Sequence, residues 1–228
     1  MRSALHQVRL DAITVRPYLT LKNIIILFAL PVFLIFTTQS LQMPIMMTFL
    51  YCSMFATYPF MVGDKNGIDA LYCTLPMLRR AVVAGRYLFT LALLLFAGAF
   101  TLLLAGLASL LPGISLSAPV FVGILAGMLA WLLLSNAITL PVYFKVGYTR
   151  AKFFSYLPYF IIPLAVLIIT SLLPRLATQA ELETLLLSAA AWLSQNLWLL
   201  VLGAVVILAA LYYASYKLAA HFYQKRSF

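Results

Sequence analysis

The chain has 228 residues, 65% of them hydrophobic and 9% charged, with fifteen Lys and Arg against five Asp and Glu for a formal net charge of +10. Mean hydropathy is +1.06, whereas soluble domains carry about a quarter of their residues as charges, so the composition excludes a soluble protein and defines an integral membrane one. A nucleic-acid role is excluded as well, because the basic residues punctuate long apolar stretches and are not gathered on one soluble face.

Residues 1–22 carry five formal charges and no central apolar run, so they do not read as a signal peptide. Leu5, Val8, Ala12 and Val15 fall on one helical stripe, with Arg2, Arg9 and Arg16 at seven-residue spacing beside it. This pattern predicts an interfacial amphipathic helix on the inner membrane surface, its arginines reaching for anionic head groups. The alternative is a basic tail that only enforces topology.

A helix needs about 20 mostly apolar residues to cross a bilayer. Six segments qualify, at 23–41, 44–62, 87–111, 119–143, 154–173 and 196–216. The expected fold is therefore an all-α integral membrane protein, a single transmembrane domain over 1–228. Fourteen of the fifteen cations lie on one side of this pattern, and Arg175 alone lies on the other. The positive-inside bias makes the crowded side cytoplasmic and places both termini there. The lone acidic residues are scattered and His6 and His221 lie in the tails, so neither a metal cluster nor an intramembrane catalytic set is expected. Cys52 and Cys73 are not expected to form a structural disulfide.

The external connections differ in length. A tight turn is expected around 39–43, with Pro44 suited to the first turn of the second span, and another short turn over 112–119. The third connection, 174–195, repeats Leu182, Leu185, Leu186, Ala189, Trp192 and Leu193 at helical spacing. It reads as an external amphipathic segment, or as an extension of the fifth or sixth span.

Charge is concentrated in the loop 63–86, GDKNGIDALYCTLPMLRRAVVAGR. After a turn ending at Gly67, residues Ile68, Leu71, Tyr72 and Leu75 form an apolar helical face, Pro76 interrupts it, and Arg79 and Arg80 follow at the start of a helical stretch leading into the third span. A helix, a proline break and a second helix make an elbow suited to docking a partner. The alternative is that Lys65, Arg79, Arg80 and Arg86 only anchor span ends.

Asp64, Lys65, Asn66 and Gly67, then Thr74, Leu75 and Pro76, then Arg79 and Arg80, with Gly85, Arg86 and Tyr87 opening the next span, resemble the membrane-spanning permease subunits of type 2 ABC exporters. A second segment, LPVYFKVGYTRAK at 140–152, resembles that family's Pro, aromatic, Lys and Gly run between the fourth and fifth spans. Met77 and Leu78 stand where many relatives place a small or hydroxylated residue. The resemblance implies two permease copies, as a homodimer or a related heterodimer, above two cytoplasmic ABC ATPase subunits. It implies a coupling loop at 63–86, with Gly67, Ile68, Leu71, Leu75, Pro76, Arg79 and Arg80 meeting the ATPase and the Gly147 turn giving a second contact. No GxxxxGK[ST] phosphate loop occurs in the chain, so ATP and Mg are expected in the partner and no cofactor in this chain, which is not expected to be an enzyme.

The six apolar cores hold almost no ionisable residue, with Lys145 and Arg86 placed at span edges. Ion-coupled transport is thereby disfavoured, and a hydrophobic or amphipathic cargo such as a lipid, peptide or drug is expected. Thr48, Ser53, Thr57, Ser135, Asn136 and Thr139 are candidates for a cargo path or dimer seam; their plainer role is hydrogen bonding between helices. Tyr51, Tyr58, Tyr156, Tyr159, Tyr212 and Tyr213 fit interface belts, and Gly98, Gly106, Gly123 and Gly127 would permit close helix approach. Two other functional classes stay open at this stage: a self-contained secondary transporter, and a non-transporting scaffold or immunity protein in the cell membrane, with a bacterial origin expected.

Overall fold

The computed structural model describes residues 2–65, 67, 79–110, 118–176 and 197–225. Among these, seven α-helices follow one another: α1 (Arg2–Val15), α2 (Leu21–Thr38), α3 (Gln42–Lys65), α4 (Arg79–Ala108), α5 (Ala118–Val146), α6 (Tyr148–Leu176) and α7 (Leu197–Lys225). A single 3-10 turn, Arg16–Tyr18, joins α1 to α2. No strand occurs among the described residues.

Local chemistry sets the helix ends. Thr20 is extended, and its hydroxyl accepts the Asn23 N–H at 3.4 Å, capping α2. At the other end of α2, Gln39 adopts φ 47° and donates its N–H to the Ile35 carbonyl, closing the tight turn expected there. Pro44 falls in the first turn of α3, where its missing N–H costs nothing.

Five helices are long and apolar enough to cross a membrane by length and composition: α2, α3, α4, Val120–Val146 of α5 and Val201–Lys225 of α7. The remaining expected span, 154–173, lies within α6. Helices α3 and α4 form the centre of the bundle. α1 and α2 pack against both, α5 and α7 pack against each other and against α4, and α6 packs on α3 and α5. One apolar core joins Ile45, Phe49, Leu94, Leu104 and Leu132; a second, at the cation-rich end, joins Phe60, Val83, Tyr143, Phe144 and Tyr223.

At that end the helices outrun the apolar segments. α4 begins at Arg79, eight residues before the expected span, and α7 runs nine past it to Lys225. Helical rise makes each extension about 12 Å. The stretch that opens at Arg79 is thus one continuous helix with the third span.

The expected N-terminal segment is helical, and the structure adds a second, polar face that meets the bundle. The inward residues are Gln7, Asp11 and Val15, while Leu5 and Ala12 of the apolar stripe are left exposed by the rest of the chain. The polar pair faces the bundle because α4 offers it a partner, described below. Arg9 and Arg16 remain exposed on the side away from the bundle.

Candidate functional site

The cation-rich end gathers the sequence motifs. α3 ends at Lys65, within the segment expected to form the elbow, and the Asp64 carboxylate accepts two hydrogen bonds from Thr149, one from its backbone N–H at 2.8 Å and one from its hydroxyl. Thr149 sits in the first turn of α6, where helix N–H groups lack intrahelical partners and negative charge is favoured. The turn before it is a single residue, Gly147, at φ 86°, a conformation that favours glycine. Its N–H bonds Tyr143 O at 3.0 Å, and its carbonyl accepts from Ala151 at 3.1 Å. The two expected contact segments are therefore bound to each other.

Arg79, where α4 opens, is anchored too. Arg79 donates to the carbonyls of Gln224 at 3.0 Å and Tyr223 at 3.5 Å, at the C-terminus of α7. A cation there satisfies orphan carbonyls and complements the helix dipole. Lys145 lies 5.1 Å from the Phe222 ring centroid, a second tie to α7. Arg80 is exposed, as is Gly67. Ile68, Leu71, Leu75 and Pro76 lie outside the described residues, as do the amphipathic face and proline break they define. Of the external segment 174–195, residues 174–176 belong to the end of α6 and the rest also fall outside them.

Arg86 is not at a solvated edge, contrary to the sequence expectation. It is 2% exposed, with its guanidinium 4.0 Å from Asp11 of α1. Gln7 supports the carboxylate with a 3.0 Å hydrogen bond. The guanidinium carbon lies 4.4 Å from the Phe60 ring centroid and 5.6 Å from that of Phe144, so cation–π contacts complete its environment. Gly85 makes the approach possible: a Cβ there would collide with Gln7, whose Cγ would lie at 2.6 Å. One side chain thus joins α1, α3, α4 and α5.

The mid-bundle candidates separate into two kinds. Ser53 of α3, Asn136 of α5 and Tyr159 of α6 form a chain, with the Tyr159 hydroxyl donating to Asn136 Oδ1 at 2.9 Å and receiving the Ser53 hydroxyl at 2.9 Å. Ser135 and Thr139 are buried beside them. Asn136 Nδ2 and Ser135 Oγ are buried without a hydrogen-bond partner among the described residues. Thr48 and Thr57 instead bond carbonyls of their own helix, Pro44 at 2.9 Å and Met54 at 2.8 Å. Ser53, Thr57 and Tyr159 line a cleft of about 230 Å3.

Two of the expected belt tyrosines are interhelical. Tyr159 belongs to the polar chain above, and Tyr212 donates to the Tyr87 carbonyl at 3.0 Å. A Cβ at Gly98, Gly106, Gly123 or Gly127 would meet nothing within 4 Å, so no described part of this chain packs closely on them.

The described residues form an all-helical bundle with five helices long and apolar enough to cross a membrane, the architecture of a multi-pass membrane protein. The chain belongs to a family described as ABC-2 family transporter protein, which matches residues 8–224. No curated protein and no solved structure matches it. The protein is thus the transmembrane permease of an ABC transporter, a multi-pass transport component that is not itself catalytic, and its family implies association with ABC ATPase partners.

Proposed function

We propose that this permease is the membrane half of an ATP-driven exporter of the bacterial cell membrane, with six spans, both termini cytoplasmic, and ATP and Mg bound only by a separate ATPase. The elbow at 63–86 docks in the ATPase through Gly67, Ile68, Leu71, Leu75 and Pro76, with Arg79 and Arg80 at its root and the Gly147 turn as a second contact. The observation that carries this reading is the double anchoring of the elbow: Asp64 holds its entrance to the start of α6, and Arg79 holds its exit to the end of α7. A displacement of the loop by ATP-driven closure would reach two distant helices through those ties. Neither tie would be needed if the basic residues served only as span anchors.

Two permease copies form the path, and the cargo is hydrophobic or amphipathic. The bundle supports this: its one described buried ion pair, Asp11 with Arg86, lies at the cation-rich end, and the mid-bundle cleft is lined by neutral hydroxyls and apolar side chains. Ser53, Ser135, Asn136 and Thr139 are the cargo-path or seam residues of this reading. Thr57 lines the same cleft, whereas Thr48 contributes less, since its hydroxyl is spent on the Pro44 carbonyl of its own helix.

Affinity purification of tagged permease from its native membranes tests the docking. The wild type is expected to bring down a protein with ATPase activity, and Leu75→Asp to insert normally but lose that activity from the eluate. Equal ATPase activity with both forms would overturn the elbow assignment.

A further inference from the structure

Helices α4 and α7 enclose an apolar groove of about 520 Å3, floored by Leu133 of α5 and walled by Leu88, Leu91, Val205, Tyr213 and Tyr216. Its walls are fixed. Tyr87 donates to Ser215 at 2.7 Å, Ser215 donates to the Ala137 carbonyl at 2.6 Å, and Tyr212 donates to the Tyr87 carbonyl. These bonds tie α4, α5 and α7 together at the level of Tyr87, so the helices that form the groove are held to one another and are not loosely packed.

One end of the groove is cationic. Along α4, Arg80 precedes the lining residues Ala84, Leu88 and Leu91 at helical spacing, on the same face. On α7, Lys217 stands at the lip, its ammonium 5.3 Å from the ring centroid of the lining Tyr213. The Arg79 bonds to Tyr223 and Gln224 bring this part of α4 to the same end of the bundle as the α7 terminus. Both cations are exposed, and neither helix contains an acidic residue. An occupant must therefore combine a long apolar body with an anionic head. A soluble anion has no use for the groove, and a neutral lipid has no use for the two cations.

We infer that the α4/α7 groove is a binding site for an anionic glycerophospholipid of the inner leaflet, with an acyl chain between Leu88 and Val205 and its phosphate at Arg80 and Lys217. Basic positions between membrane helices on the cytoplasmic side bind anionic head groups by this combination. From Val205 to Tyr216 the α7 wall runs about 16 Å along the helix axis, a length suited to an acyl chain. The inference requires only a membrane protein with this end inward, and it stands or falls apart from the identity of the exported cargo.

Native mass spectrometry of the detergent-purified permease alone tests it, with phosphatidylglycerol and phosphatidylcholine of matched chains as probes. The wild type should retain phosphatidylglycerol in preference to phosphatidylcholine. Removing both charges by Arg80→Gln and Lys217→Gln should weaken phosphatidylglycerol retention roughly 30-fold, about fivefold per cation. The charge-keeping pair Arg80→Lys and Lys217→Arg should behave as wild type, and Ala209→Phe, which fills the groove from its exposed wall, should weaken both lipids. Equal retention of the two lipids by the wild type would overturn the site, as would unchanged phosphatidylglycerol retention in the double Gln form. A disulfide forming between two copies carrying Leu91→Cys would overturn it as well, by making the groove a seam between permeases.

Discussion

At the residue scale, Arg86 is costly to bury, since a guanidinium out of water requires compensation from several sources. Asp11 supplies the charge, Gln7 holds that carboxylate, and Phe60 and Phe144 supply ring faces. Removing one partner leaves a buried charge uncompensated, which costs more than the pair contributes. Asp11→Asn should therefore destabilise the protein by about 3 kcal/mol, seen as a fall of roughly 10 °C in apparent melting temperature in detergent. The apolar double replacement Asp11→Leu with Arg86→Met should recover most of the loss, because it removes the desolvation cost along with the attraction. A single variant that melts like the wild type would show that the ion pair does not hold α1 to the bundle. The pair was only half legible in the sequence. Arg86 stood out as a cation opening a span, but an acidic residue inside a basic amphipathic helix gives no sign of which distant residue it meets. The available signals were local: Gln7 lies one helical turn before Asp11, and Gly85 lies beside Arg86 where a close approach needs room.

At the scale of the element, α6 begins with a cap borrowed from α3. Asp64→Ala removes the acceptor for the Thr149 N–H, a loss of about 1 kcal/mol that should speed local amide exchange at Thr149 about fivefold. Hydrogen exchange with mass spectrometry over 147–153 reads this directly, and unchanged exchange would mean that the Asp64 contact does not cap the helix. Gly147→Ala should add about 1 to 2 kcal/mol of strain at the same junction, because its φ of 86° is a conformation that L side chains rarely adopt. Apolar length and turn chemistry made the helices themselves legible: Pro44 and the 39–43 turn were readable because they depend on neighbours in sequence. The cation-rich ends were not, since a helix continues past its apolar run wherever another helix satisfies its polar groups, as α7 does for Arg79. The same limit applied to the candidate path. Ser53 and Asn136 were singled out by polarity, but Tyr159, which joins them, looked like a belt residue because nothing local reveals that its hydroxyl points inward.

At the scale of the molecule, large apolar side chains are left uncovered along the outer faces, among them Leu95 of α4, Phe160 of α6 and Ile207 of α7. A lipid phase or a second permease copy can cover them, which accords with a membrane-embedded transport component. The cation-rich end differs from this outer surface: it holds a buried ion pair, and Asp64 and Arg79 are tied to α6 and α7 there, as the proposed coupling requires. In the proposed mechanism an external ATPase drives that end of the permease. Reconstituting the permease into proteoliposomes with and without its co-purified ATPase, and following movement of a fluorescent lipid or amphipathic peptide, tests the claim most directly. The movement is expected to require ATP and the partner together. Movement by the permease alone, driven by a proton or sodium gradient and indifferent to ATP, would contradict it.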